Sequence, residues 1–223
     1  MLSVSEAVET IVKRSRYLSE AMAKGIINTS ALARYTKPEL EEMLGKEISD
    51  AAAIMAVTRV SGKIHPPYKF KNIFHTAPDM VFRSNLVEIT CINGVDIDNS
   101  LAAVLKISDK QSSSFLAVTK GVFDTTLIVS QDIFPLIKKQ LADETITAEY
   151  TNLAAITIRL PQEAIKTPGI FYFFLKSLAW EGVNIVEIVS AHLELTIIFE
   201  QHEAQKAFVI LQSLFSKENR QTI

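Results

Sequence analysis

The chain carries one cysteine, Cys91, in 223 residues. A lone thiol forms no internal disulfide, which excludes a disulfide-stapled secreted scaffold and leads us to expect a cytoplasmic protein. No apolar run reaches the roughly 18 residues that a membrane-crossing helix needs, so no membrane association is expected. Glu6 and Glu9 interrupt what would have to be the apolar stretch of a secretion signal, and none is expected either. Charge of one sign is also missing: a formal net charge of −2 sets up no field that draws in nucleic acid or an anionic membrane. There is no Gly-rich phosphate loop, no HExxH pair and no nucleophile elbow, so the chain is not expected to be an enzyme or to carry a cofactor. His65 and His75 stand in irregular sequence with no Cys or third His beside them, which argues against a metal site. What is present is apolar material, 48% of the residues, enough for the cores of two or three small domains.

The most informative stretch is Thr167-Pro168-Gly169-Ile170. It follows a strand-like run, Ala155 to Leu160, and opens a helix-like run from Ile170 to Trp180; a second strand, Val183 to Val189, comes next. A Pro-Gly pair at the foot of a helix leaves backbone N–H groups open to close approach, and with the positive end of the helix dipole these can hold a carboxylate. Taken alone, the pair reads first as an ordinary strand-to-helix turn, and the surrounding order decides. The order around it is strand, turn, helix, strand, strand, helix, closed by Leu193 to Phe199 and by Ala204, Ala207, Phe208, Leu211, Leu214 and Phe215 at helical spacing.

That order, with the strand ending in Arg159-Leu160, the Thr167-Pro168-Gly169 turn, the helix exit Glu181-Gly182-Val183-Asn184-Ile185 and the acidic turn Glu200-Gln201-His202-Glu203, resembles an ACT domain. It is most similar to the second such module of aspartokinase regulatory regions, over about residues 153 to 216. The resemblance implies a ferredoxin-like βαββαβ unit, paired with another, that binds a small amino acid where the two meet. It implies that Thr167, Pro168, Gly169 and Ile170 hold the ligand carboxylate and that Asn184, Ile185 and Val186 line the neighbouring strand start. The chain departs from the pattern at Ala191-His192, where those regions often carry a Ser-Glu pair. His192 reads as a surface turn histidine, with a ligand role left open.

An internal repeat points the same way from the residues alone. Asn85-Leu86-Val87-Glu88-Ile89-Thr90 returns as Asn152-Leu153-Ala154-Ala155-Ile156-Thr157, and Thr126 to Gln131 returns as Thr196 to Gln201, each followed by a helix. In the first copy the turn is Asn93-Gly94-Val95-Asp96-Ile97-Asp98-Asn99-Ser100, without Pro-Gly. Asp96 and Asn99 are the weaker candidates there for a ligand ammonium; Asx residues are also the usual formers of solvated turns.

The first part of the chain is of another kind. A helix is expected over Ser3 to Lys24, a short one from Thr29 to Tyr35, a third opened by a capping box at Thr36-Lys37-Pro38-Glu39, and a fourth from Asp50 to Val60 behind Ser49. The last helix offers Arg59 as its one basic side chain, so DNA is not an expected partner. The expected architecture is α+β: a helical, helix-turn-helix-like domain over 1–64, a Pro-containing linker over 65–84, and two ferredoxin-like βαββαβ modules over 85–150 and 151–223. Ile170 to Leu175 is apolar nearly all round, which implies a second covered face and a homodimer through these helices. Three functions follow: a non-catalytic amino-acid sensor first, then a structural or protein-interaction module without ligand, then a ligand-responsive DNA-binding regulator.

Overall fold

The computed structural model describes residues 2–64, 73–74, 76–111 and 114–215. They fall in two units, Met1–Lys69 and Phe70–Ile223. His65, His75 and the Pro66-Pro67 pair lie outside the described residues.

The first unit is four helices. In α1 (Val4–Arg14), Ser3 and Glu6 form a reciprocal capping box, with Ser3 N donating to Glu6 Oε2 at 2.7 Å. The expected single helix over 3–24 is broken: Ser15 is extended, ends α1, and caps α2 (Arg16–Ala23) through its hydroxyl. The opposite correction applies to α3 (Thr29–Leu44), which runs without interruption through the expected capping box. Pro38 deprives the Arg34 carbonyl of its partner, but Arg34, Tyr35 and Pro38 are exposed and water can replace the lost bond. Thr36, far from capping, is buried and donates to Leu32 O at 2.9 Å. Burial of Leu32, Ala33 and Leu40 against α1 and α4 (Asp50–Ser61) outweighs the break that Pro favours. On α4, Asp50 pairs with Lys37 at 2.6 Å, which holds its carboxyl below the ordinary value.

The second unit is an antiparallel sheet with helices. Its elements are β1 (Met80–Ile92), α5 (Ile97–Asp109), β2 (Leu116–Lys120), β3 (Asp124–Ser130), α6 (Phe134–Gln140), β4 (Ile146–Arg159), α7 (Ile170–Trp180), β5 (Glu187–Ala191), β6 (Glu194–Glu200) and α8 (Ala204–Ser213), with a 3₁₀ turn at Gln162–Lys166. The strand order is β2-β3-β1-β4-β6-β5.

The two long strands explain that order. Asn85 in β1 and Asn152 in β4 both adopt left-handed backbone, at φ 55° and 58°, a conformation that Asn tolerates better than most residues. Before Asn85, Met80–Arg83 pairs with Ile158–Ala155; after it, Leu86–Ile92 pairs with Ser130–Asp124 of β3 and with the first half of β4. Beyond Asn152, β4 pairs with β6. Each long strand thus serves both ends of the sheet, and β1 already begins at Met80, inside the segment expected as linker. The boundary expected at 150–151 likewise falls within β4. The two ends repeat one another in detail: Gln131 N donates to Asn85 O and Gln201 N to Asn152 O, both at 2.8 Å, and Thr90–Thr126 and Thr157–Thr196 hydroxyls meet at 3.0 and 2.9 Å.

Period-two alternation sorts the side chains. Val87, Ile89 and Cys91 with Leu127 and Val129 pack under α5 and α6, while Ile156, Ile158, Leu195, Ile197 and Phe199 pack under α7 and α8. The second core adds a ring cluster of Phe74, Phe173, Phe174 and Phe215, with centroids 5.0–6.3 Å apart. On the other face Leu86, Ile128, Leu153, Ala155 and Ile198 form one buried cluster. These residues lie on the adjacent strands β3, β1, β4 and β6, so the cluster links both ends of the sheet. Arg83 lies 5.8 Å over the Phe115 ring. Glu88 is trapped on this face, 6% exposed, with Oε2 unpartnered; burial, and then Glu187, push its carboxyl above the ordinary value.

Candidate functional site

β4 ends at Arg159, and Leu160 N is held by Leu193 O at 2.7 Å, which turns the chain away from the sheet. The 3₁₀ turn follows, and Thr167 closes it, its N–H on Ala164 O at 3.1 Å and its hydroxyl on Glu163 O at 2.8 Å. Gly169 then takes φ 82°, a left-handed backbone that suits glycine, and starts α7 as its N-cap. Phe173 N returns to Gly169 O at 3.0 Å. Gly169 brings no side chain to cap this helix, and the positive end of the helix dipole faces this turn.

A cleft of about 290 Å³ opens at this point. Thr167, Gly169 and Ile170 line it together with Leu160, Ala164, Ile165, Phe171, Tyr172 and His192. Pro168 lies just outside the helix and sets the approach to Gly169. The walls are mostly apolar and the uncapped helix start supplies the polar end, an arrangement suited to a small molecule with a carboxylate and an apolar body.

The other expected residues lie elsewhere. Asn184 is exposed beyond Gly182, at the far end of α7, whose 11 residues measure about 16 Å. Ile185 packs against the core under α7 and α8, and Val186 joins the cluster on the opposite sheet face, its N–H on Ile198 O at 2.8 Å. Asp96 and Asn99 stand at the start of α5, beyond the C-terminal end of β1, whereas the Thr167 turn is beyond the end of β4 beside Met80. The 13 residues of β1 between these ends amount to about 40 Å of strand. One chain therefore does not bring Asp96, Asn99 or Asn184 to the α7 cleft.

The first-copy turn is also differently filled. The Asn93 side chain bridges Gly121 O at 2.9 Å and the Thr125 hydroxyl at 2.6 Å. Ser100 Oγ donates to Glu144 Oε1 at 2.7 Å, and Glu144 Oε2 comes close to Gly94. Asp98 pairs with Lys120, and Asn99 N donates to Asp96 O at 2.9 Å. Cys91, buried nearby, has its thiol pushed up by burial and then by Glu144, away from nucleophilic use.

His192 is the residue that sequence reasoning undervalued: it sits in the β5–β6 turn at φ 43° and walls the cleft. The signal was its place in a two-residue link between alternating strands, where a side chain must project from the sheet end. Tyr172 and Ile165 carried no signal separate from packing. Among the described residues there is no group of three or more His, Cys, Asp or Glu able to hold a metal, and no helix long and apolar enough to cross a membrane.

No family model matches the chain, and no curated protein sequence does. Among solved structures it is similar to the ligand-free regulatory subunit of aspartate kinase from Thermus thermophilus, with TM-score 0.50 and 17% identity over 63% of this chain and 100% of that one. It is also similar to the aspartate kinase of Clostridium acetobutylicum, described as allosteric, with TM-score 0.50 and 21% identity over 64% of this chain and 36% of that one. The aspartate kinase of Synechocystis gives TM-score 0.52 and 16% identity over 62% and 27%. The likeness spans a whole regulatory subunit but only the smaller part of the two kinase chains. At these identities it is a likeness of fold: the chain has the fold of an aspartate kinase regulatory subunit.

Proposed function

We propose that this chain is a non-catalytic regulatory protein that senses a small free amino acid through two interleaved ACT-type modules. In this reading the first module runs from Asn85 to about residue 150 and the second from about 151 onward, with Met80–Arg83 supplying the second module's fourth strand. The four-helix unit is a helix-turn-helix-like attachment, and the protein works in the cytoplasm, where a single reduced thiol is at home. The observation that carries the reading is the uncapped start of α7 opening onto an apolar cleft. There the N–H groups of Gly169 and Ile170 hold the ligand carboxylate, Thr167 and Pro168 shape the turn that presents them, and Ile165, Phe171 and Tyr172 surround its side chain. Asp96, Asn99 and Asn184–Val186 complete the site only if a second chain contributes them, which fits a homodimer. The test is a thermal-shift screen of the twenty amino acids on wild type and on Ile165→Glu. Ile165 is 53% exposed, so the new carboxylate repels a ligand carboxylate with little cost to the fold. An amino acid that stabilises wild type and not Ile165→Glu supports the reading; equal stabilisation of both places the ligand elsewhere.

A second reading is favoured by one observation. Phe171 and Trp180 of α7 are 42% and 72% exposed, large apolar surface for a helix otherwise buried against a sheet. They suit a protein-protein contact, in which the module docks a partner or a second copy without needing a ligand. Light scattering on wild type and on Trp180→Glu tests it: a dimer that falls to a monomer supports the contact, and a wild type already monomeric at micromolar concentration removes self-association.

A further inference from the structure

A second cleft, of about 630 Å³, opens at the same end of the sheet on the other side of His192. Its rim holds two carboxylates, Asp79 and Glu194, and two basic side chains, Arg159 and His192, over a floor that includes Val81 and Thr157. Backbone register gathers these four. Arg159 N donates to Asp79 O at 3.0 Å, Arg159 stands directly opposite Glu194 across β4 and β6, and His192 occupies the turn that leads into Glu194.

Directly opposed Arg and Glu side chains on neighbouring strands ordinarily meet. Here they do not: among the described residues, none of the four forms an ion pair with another within 4 Å. Two carboxylates, a guanidinium and an imidazole line one cleft without pairing with each other within 4 Å. His192 adds an independent sign. It is the first residue of the two-residue link between paired Ala191 and Glu194, at φ 43°, where a hairpin of this kind favours glycine. A histidine kept in a glycine conformation at a cleft wall is strain of the sort that gathers where ligands are clamped.

We infer that this cleft is a separate binding site for a small dipolar ion, a molecule bearing both a carboxylate and an ammonium, such as a free amino acid. Arg159 and His192 face the carboxylate, and Asp79 and Glu194 face the ammonium. The site shares the His192 wall with the α7 cleft but uses neither the α7 start nor Ile165, so the two stand or fall separately.

Calorimetric titration of the twenty L-amino acids, with N-acetyl and amide derivatives of any that bind, tests it. The expected result is an amino acid whose affinity falls about tenfold or more with Arg159→Gln and with Asp79→Asn, and with either end blocked, while Ile165→Glu leaves it unchanged. His192→Gly should raise the melting temperature by relieving the turn and weaken the same binding. Binding that ignores Arg159→Gln and Asp79→Asn, or that tolerates the blocked derivatives, overturns the inference. Binding lost only with Ile165→Glu assigns the ligand to the α7 cleft and overturns this site alone. Absence of binding by any free amino acid overturns both.

Discussion

The two ends of the sheet are built on one backbone plan and fill their turn-helix junctions differently, although neither Asp96 nor Gly169 caps its helix through a side chain. Both begin at an asparagine in left-handed conformation, both receive a glutamine N–H on that asparagine's carbonyl, and both carry a threonine pair between strands. At the first junction the chain satisfies itself: Asn93 bridges Gly121 and Thr125, and Glu144 lies against Ser100 and Gly94. At the second, Gly169 starts α7 beside an apolar cleft. A duplicated fold can thus keep its frame while one copy closes on its own side chains and the other stays open. The proposed sensor role falls to the open copy.

The largest expected effect separates the cores. Phe174→Ala removes a fully buried ring from the aromatic cluster and should cost about 3–5 kcal/mol, whereas Ile137→Val in the aliphatic core of the first end should cost about 0.5–1.5 kcal/mol. Denaturant midpoints measure both, and equal losses would contradict the expectation that deleting a buried ring costs more than deleting one methyl.

Next comes Glu88, on the face where one buried cluster links the two ends. Its folded carboxyl titrates above its unfolded value of about 4.3, so its charge weakens the fold as pH rises past that value and does not below it. Glu88→Gln should therefore stabilise the protein by about 1–2 kcal/mol at pH 8 and by almost nothing at pH 4. A gain independent of pH would show that ionisation is not its cause.

The smallest effect tests the shared plan. Asn85→Ala and Asn152→Ala should each cost about 1–2 kcal/mol through the left-handed backbone, and the glycine variants much less. Unequal losses at the two positions would break the structural equivalence of the ends.

Much of this was legible in the sequence. Shared residues pointed to a repeat of Asn85–Thr90 in Asn152–Thr157, and the asparagines that open both stretches take left-handed backbone. The α7 start was legible from the order of strand, turn, helix and strand around Pro168-Gly169, since the pair alone is an ordinary turn. Three features were not. Met80–Arg83 is too short a run to announce a strand, and its partner, residues 155–158, lies far along the chain. The passage of α3 through Pro38 depended on the orphan carbonyl facing water, a fact of packing and not of composition. Asn184 and Gly169 mark the two ends of one helix, and nothing in their sequence spacing says that 16 Å, roughly, keeps them apart.

The most direct measurement is the melting temperature of the protein with each free amino acid at a hundredfold excess over its dissociation constant. A ligand of the α7 cleft should stabilise by about 2.7 kcal/mol, a rise of roughly 5–11 °C for a chain of this size. Ile165→Glu should abolish that rise, and Glu144→Gln at the first junction should leave it intact. No rise with any of the twenty on well-folded, ligand-free protein, or a rise that survives Ile165→Glu and disappears with Glu144→Gln, would contradict the assignment of sensing to the second end of the sheet.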